Sequence, residues 1–250
     1  MKKNISKIGK NVKIDPSASI GNRVFIGHNV RIAKGAIVRD NVTIKKNSYI
    51  DEYCIIGERI FDYYKKVKYV NPATIIGANS IVRSHSIVYS GCSIGNGFIT
   101  GHHSIIREYC VIGNNCKFGT ASQADGYVKI GNFCQLHSNV FLASYTVLKN
   151  HVLFYPYATT LDSLHPPCKK ARKGPNFEDY AVVGGGALIL PRLNVGREAL
   201  IAGGAVVTKD VPSRMLVAGF PAREICDIRS IKCKINKVAQ PYPWRLNVDE

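Results

Sequence analysis

The sequence predicts an all-β protein wound as a stacked solenoid, on three observations. From Ile76 a large, mostly aliphatic residue returns at every sixth position, through Val82, Val88, Ile94, Thr100, Ile106, Ile112, Phe118, Ala124, Ile130, Leu136, Leu142, Leu148 and Phe154. Four residues after each stands a mostly small one, such as Ser80, Ser86, Cys92, Ser104, Cys110 and Cys116. The same period runs earlier, from Ile8 to Ile56, and later, from Val183 to Val207. Period six is neither helical nor simple strand alternation. It is the mark of a solenoid in which each hexad is a short strand plus a turn and three hexads close a triangular coil. Residues eighteen apart then lie above one another, about 4.8 Å away.

In chain order, the hexads at Ile8, Ile14, Ile20, Ile26, Ile32, Val38, Ile44, Ile50 and Ile56 form the first coils. The repeat then stops, and residues 62–75 are expected to leave the prism as a loop. Its Tyr63, Tyr64 and Tyr69 are expected to pack against the prism wall, with covering a ligand as the alternative. The main block follows to Thr159. A second extrusion at 160–182 carries His165, Pro166, Pro167, Lys169, Lys170, Arg172 and Lys173. A loop this long either reaches a ligand or neighbouring subunit or is simply solvated and basic. The repeat is expected to resume at Val183, with turns rich in glycine at Gly184, Gly185, Gly186, Gly203 and Gly204. Residues 1–224 thus form one β-helical domain. Residues 225–250 read as a basic extension, with a short helix expected to close the prism, because an uncovered β-edge invites pairing.

Composition narrows the function. The 250 residues carry a formal charge of +17, a field that concentrates anions at the surface. The basic residues are dispersed and not interleaved with stacking aromatics, so a phosphate-bearing small molecule is expected rather than nucleic acid. No stretch approaches the roughly 20 apolar residues of a membrane span, and Met1–Lys7 runs into the repeat without the apolar core of a signal peptide, so a cytoplasmic protein is expected. Cys54, Cys92, Cys110, Cys116 and Cys134 fall on the inward fifth hexad position, as free buried thiols rather than a disulfide framework. No CxxC pair occurs, and no metal is expected.

The eighteen-residue register gathers four of the seven histidines at one corner. Thr100 interrupts the aliphatic series just before Gly101, His102 and His103. Ser84 lies beneath His102, with Thr120 and Ser138 above it. The flanking columns hold Arg83, Gly101, Gly119 and His137 on one side, and His85, His103, Ala121 and Asn139 on the other. Clustered titratable groups of this kind mark a candidate active site. Glycine-rich turns, for their part, expose amides that can bind an extended molecule or stabilise an oxyanion.

Residues 8–225 resemble the hexapeptide-repeat acyltransferases, whose fold is a left-handed parallel β-helix; the handedness is implied by the resemblance alone. The stretch IVRSHSIVYSGCSIGNGFITGHHSIIRE at Ile81–Glu108, with QLHSNV at Gln135–Val140, is similar to N-acetyltransferases of nucleotide-linked 3-amino-3,6-dideoxyhexoses. GGGALILP, GAVVTKDVP and AGFPAR resemble the acyl-CoA-binding end of the wider superfamily. The resemblance implies acetyl-CoA as co-substrate, a dTDP-linked amino sugar destined for a bacterial surface glycan such as O-antigen or S-layer, and a homotrimer with sites between prisms. It implies His102 as the catalytic residue. Ser84 and Asn139 lie in its corner, and Glu108, Asp125 and His137 fall in sugar-lining segments. Gly186, Gly204 and Lys209 match the region along which pantetheine and phosphates run. Asp125 departs from the glutamine that related sugar-binding segments can carry.

The corresponding chemistry is attack of an amine on a thioester carbonyl, for which histidine suits as a base near neutrality. Glu108 and Asp125 fall on the next corner and are expected to meet His102 only across a subunit interface. His103 is the nearest competitor as base. TLDSLHPP resembles the loop of O-acetyltransferases, which would give His165 the role and a hydroxyl as acceptor. A zinc site of His85, His103 and His137, as in gamma-class carbonic anhydrases, is a more distant reading, and a non-catalytic scaffold is another.

Overall fold

The computed structural model describes residues 7–164 and 172–232. The chain is a left-handed parallel β-helix of three sheets. Among the described residues sheet A has ten strands, from Lys7–Ile8 to Asn194–Val195. Sheet B has twelve, from Lys13–Ile14 to Arg223–Asp227, and sheet C has ten, from Ser19–Ile20 to Val206–Val207. Successive coils pair in parallel at the predicted eighteen-residue step, as in Ile105 with Gln123 and Ile106 with Ala124. In these two-residue strands the second residue points inward, and Ile76, Val88, Ile106, Leu142 and Ile189 are completely or almost completely buried. The first points outward, so each sheet presents one row of side chains to its exterior.

The three corners differ. The A–B corner carries an asparagine ladder in which the side-chain amides of Asn11, Asn29 and Asn47 donate in turn to Asn29, Asn47 and Asn79. The B–C corner holds the histidines. The C–A corner is where both long loops leave, after Ile55–Glu58 and after Thr159–Thr160. In most turns of all three corners the third residue takes positive φ, +61° at His85 and +56° at His103. Non-glycine residues adopt that region at a cost, which the stacking of identical turns offsets.

Three expectations are corrected. The repeat resumes at Asn176–Phe177, not Val183: Phe177 pairs with Leu148 and is fully buried. It lies six residues before Val183, so the second loop is shorter than 160–182. At the C-terminal end, Met215–Ala218 continues sheet B and Arg223–Asp227 pairs with it antiparallel. A hairpin followed by a single 3-10 turn at Ile228–Ser230 thus closes the edge, the 224/225 boundary falls inside a strand, and residues 233–250 of the expected extension lie outside the described residues. The first loop contains a turn at Phe61–Tyr64 and returns at Thr74–Ile76. Its aromatics pack on one another, Tyr63 edge-on to Tyr64 at 5.1 Å and to Tyr69 at 5.4 Å. Tyr64 remains 73% exposed and Tyr63 38%, so these two do not bury against the prism wall, whereas Tyr69 is half-buried with its hydroxyl bonded to Asn71; Phe61 beside them is 68% exposed.

Candidate functional site

The B–C corner is assembled by turns following the sheet B strands Ile81–Val82, Ile99–Thr100, Lys117–Phe118 and Gln135–Leu136. His102 Nδ1 lies 2.8 Å from Ser84 Oγ of the coil below. The Ser84 N–H in turn donates to Asp51 Oδ2 at 3.3 Å. His103 stacks on His85 with centroids 4.9 Å apart, and His85 tilts over Tyr53 at 5.2 Å. His137 stacks on Tyr155 at 4.9 Å, and Asn139 tops the same turn at φ +59°. Ser84, His102, His137 and Asn139 therefore share one edge, as the register predicts.

Thr100 explains its own place in the aliphatic series. Its buried Oγ1 accepts the Arg83 N–H at 2.8 Å, at the coil where the Val82–Thr100 rung is missing from the ladder. Beside His102, on sheet B, lies a concavity of about 350 Å³ lined by Arg83, Thr100, Lys117, Gln135 and His137, among others. The sequence reading placed Arg83 in the flanking column but missed Lys117 and Gln135 as lining residues. Extending the column map from the corner into the outward row of sheet B would have found them.

It also missed that the glycine-rich turns stand on the histidine edge. The φ-positive column runs His85, His103, Ala121, Asn139, Tyr157, Gly186, Gly204. At Gly186 and Gly204 an added Cβ would meet nothing within 4 Å. Other residues take the same φ in this column, so neither the turn nor packing requires glycine there, and the bare backbone leaves an open ramp. At Gly101 and Gly119 a Cβ would strike the backbone of Thr120 and His137, so those glycines are structural. Lys209 is not brought to the ramp. It follows the sheet C strand Val206–Val207 and lines a different concavity, of about 400 Å³, with Arg223 and Glu224 of the hairpin.

Glu108 and Asp125 lie on the C–A corner, apart from His102. Arg107 holds both: its Nε and Nη2 donate to Glu108 at 2.8 and 2.9 Å, and its Nη1 donates to Asp125 Oδ1 at 3.2 Å. Ser144 Oγ donates to the other Asp125 oxygen at 3.0 Å. Burial opposes the charge on Arg107, but the two carboxylates outweigh it and hold the guanidinium above its ordinary value. Tyr109, Tyr127 and Tyr145 stack along this corner at 5.2 and 5.1 Å. His165 lies outside the described residues. Among the described residues no three His, Cys, Asp or Glu side chains could hold a metal ion, and His85 and His103 stack face to face rather than converge. No described helix is long and apolar enough to cross a membrane.

No protein-family model matches the chain. It is 32% identical over 94 residues to the galactoside O-acetyltransferase of Lactococcus lactis, covering 35% of this chain and 42% of that protein. It is 47% identical over 49 residues to a 2,3,4,5-tetrahydropyridine-2,6-dicarboxylate N-acetyltransferase of Staphylococcus aureus, covering 20% of each. The chain thus covers less than half the length of these curated relatives. Among solved structures, PerB of Caulobacter crescentus, in complex with CoA and GDP-perosamine, matches 59% of this chain and 57% of its own at 18% identity and a TM-score of 0.35. Over the matched segments of the curated relatives the chain is similar to acetyltransferases.

Proposed function

We propose that the protein transfers the acetyl group of acetyl-CoA to the amine of a nucleotide-linked 3-amino-3,6-dideoxyhexose, with His102 as base. The observation that carries this reading is one continuous edge on which an imidazole anchored by Ser84 is followed, toward the C-terminus, by the open glycines 186 and 204. When Nδ1–H donates to Ser84 Oγ, Nε2 keeps its lone pair and can accept a proton from the substrate ammonium, freeing the amine to attack. The amine then adds to the thioester carbonyl, a C–N bond forms, the C–S bond breaks, and the thiolate leaves to be protonated. An extended pantetheine along Gly186 and Gly204 would bring its thioester down the edge toward His102, with turn amides available to the oxyanion.

The outward row of sheet C supports a homotrimer. From Ile37 it reads Ile55, Ile87, Ile105, Gln123, Phe141, Thr159, Leu188 and Val206, all partly exposed and none charged. Sheets A and B interrupt their rows with Lys129 and with Arg31 and Lys117. If each sheet C faces a threefold axis, the B–C corner of one prism abuts the C–A corner of the next. His102 then faces Arg107, Glu108 and Asp125 of another subunit, whose carboxylates would hold sugar hydroxyls or the amine.

The test is thiol release from acetyl-CoA with dTDP-3-amino-3,6-dideoxyglucose and its galactose epimer, comparing wild type with His102→Ala. Release with one epimer, lost in the variant, is expected. No release with either withdraws the amino-sugar assignment. Identity with a galactoside O-acetyltransferase favours a second reading, a hydroxyl acceptor served by His165. His165→Ala separates the two, because only that reading makes it as damaging as His102→Ala.

A further inference from the structure

We infer that the cleft beneath the first loop is a phosphate-binding site, and that it takes the diphosphate of the nucleotide-linked acceptor. This rests on the function proposed above. The cleft has a volume of about 150 Å³ and is lined by Arg23, Arg39, Asp40, Arg59, Tyr63 and Tyr69, among others. Its roof is fixed. Asn71 on the returning limb of the loop donates to the carbonyls of Gly57 at 2.8 Å and Asp40 at 3.1 Å. Asn41 donates to the Asn71 carbonyl at 2.6 Å, and the Tyr69 hydroxyl donates to Asn71 Oδ1 at 2.7 Å. The loop is thus tied to the prism wall around the space it covers.

The charges in the cleft are unequal. Arg39 is neutralised by Glu58 at 3.0 Å. Arg23 and Arg59 have no carboxylate within ion-pair distance among the described residues. Arg59 lies 4.2 Å over the Tyr63 ring, which orients its guanidinium plane. The acid lining the cleft is Asp40, whose Oδ1 already accepts the Asn22 N–H at 2.8 Å. Two guanidiniums against one carboxylate leave a net positive lining, and the planar arginine fork suits phosphate oxygens. A purely structural role would be met by the Arg39–Glu58 pair and leaves Arg23 and Arg59 unexplained.

Position supplies the identity of the phosphate. Glu58 pairs with Tyr89, and Arg107 lies 5.3 Å over the Tyr89 ring. Arg59 therefore stands on the same corner as Glu108 and Asp125, two coils or roughly 10 Å from the first and three coils or roughly 15 Å from the second, toward the N-terminus. With the hexose at those carboxylates, a diphosphate on its anomeric carbon runs over Arg59 and Arg23. The base then meets the rings of Phe61 and Tyr64, which stay exposed although Phe61 carries Lys65 over its face and Tyr64 packs on Tyr63.

Calorimetry with dTDP, inorganic pyrophosphate and thymidine tests this on the full chain. The variants are Arg59→Gln, Arg23→Gln and their double, with Arg197→Gln on the A–B corner as control and melting temperatures to verify folding. Expected are dTDP binding tighter than pyrophosphate, thymidine weakest, a loss of about tenfold in dTDP affinity for each single variant, and no change in the control. Wild-type affinity in the double variant, or no dTDP binding by the wild type, overturns the site. Pyrophosphate binding as tightly as dTDP overturns its assignment to a nucleotide. Acetyl transfer with an unchanged acceptor KM in the double variant removes the site and leaves the reaction standing. Arginine-dependent dTDP binding by a protein that acetylates no amino sugar keeps the site and withdraws the reaction.

Discussion

With Nδ1 2.8 Å from the Ser84 hydroxyl, the His102 ring has one nitrogen committed and one free, and the proposed reaction depends on which carries the proton. Ser84→Ala removes that bias while leaving the imidazole in place. A drop in kcat of about tenfold with little change in KM is expected, against about 10² to 10⁴ for His102→Ala. Steady-state kinetics of both variants decide it, since equal losses would make Ser84 more than a positioning group. The cysteines make a second residue-scale case. Cys54 Sγ donates to Arg83 O at 3.1 Å, and Cys92, Cys110, Cys116 and Cys134 donate likewise to a carbonyl fifteen residues on. Ser86, Ser104 and Ser122 do the same with hydroxyls. These thiols are hydrogen-bond donors in the wall, and burial pushes Cys54 up to about 11. In the folded protein at pH 8 the five should resist alkylation while the less buried Cys226 reacts, with all reacting after denaturation. Mass spectrometry of the labelled peptides reads this out.

The turns show how far the sequence was legible at the scale of elements. His85, His103 and Asn139 stack as the eighteen-residue register requires because no insertion separates their coils. The glycine ramp obeys the same geometry, but the second loop breaks the register, and no count along the chain returns Gly186 to Tyr157. The closing hairpin was hidden for another reason: antiparallel pairing at Val217 with Glu224 has no period-six signature. A column whose φ-positive position already accepts histidine and tyrosine gives a clean test of the ramp. Gly186→His should fold with wild-type stability, yet raise the KM for acetyl-CoA about tenfold if pantetheine lies there. An unchanged KM in a folded variant would move the donor elsewhere. At the hairpin, Arg229 bonds hold the Asp227 carboxyl down to about 2. Its folded value lies below its unfolded one, so its contribution is present above pH about 4 and lost as pH falls toward 2. Hydrogen exchange of this exposed turn, in wild type and Asp227→Asn, should converge at the acid end.

For the whole molecule, the uncharged outward row of sheet C and the separation of His102 from Glu108 and Asp125 onto different corners point to the same test. In one prism these groups belong to opposite edges of sheet C, and a threefold arrangement about that sheet sets the edges of neighbouring subunits together. Ile105→Lys should therefore yield monomers by light scattering and abolish transfer, while the coil, whose core lies on the inner face, keeps its melting temperature. Complementation is the sharper measurement. If every site takes His102 from one subunit and Glu108 from the next, His102→Ala and Glu108→Ala proteins are each inactive alone, yet mixed trimers contain interfaces where both groups are intact. Random assortment of equal amounts gives such an interface about one time in four, so co-expression should restore about a quarter of wild-type activity. A site confined to one prism allows no recovery at any ratio, because no chain in the mixture carries both residues.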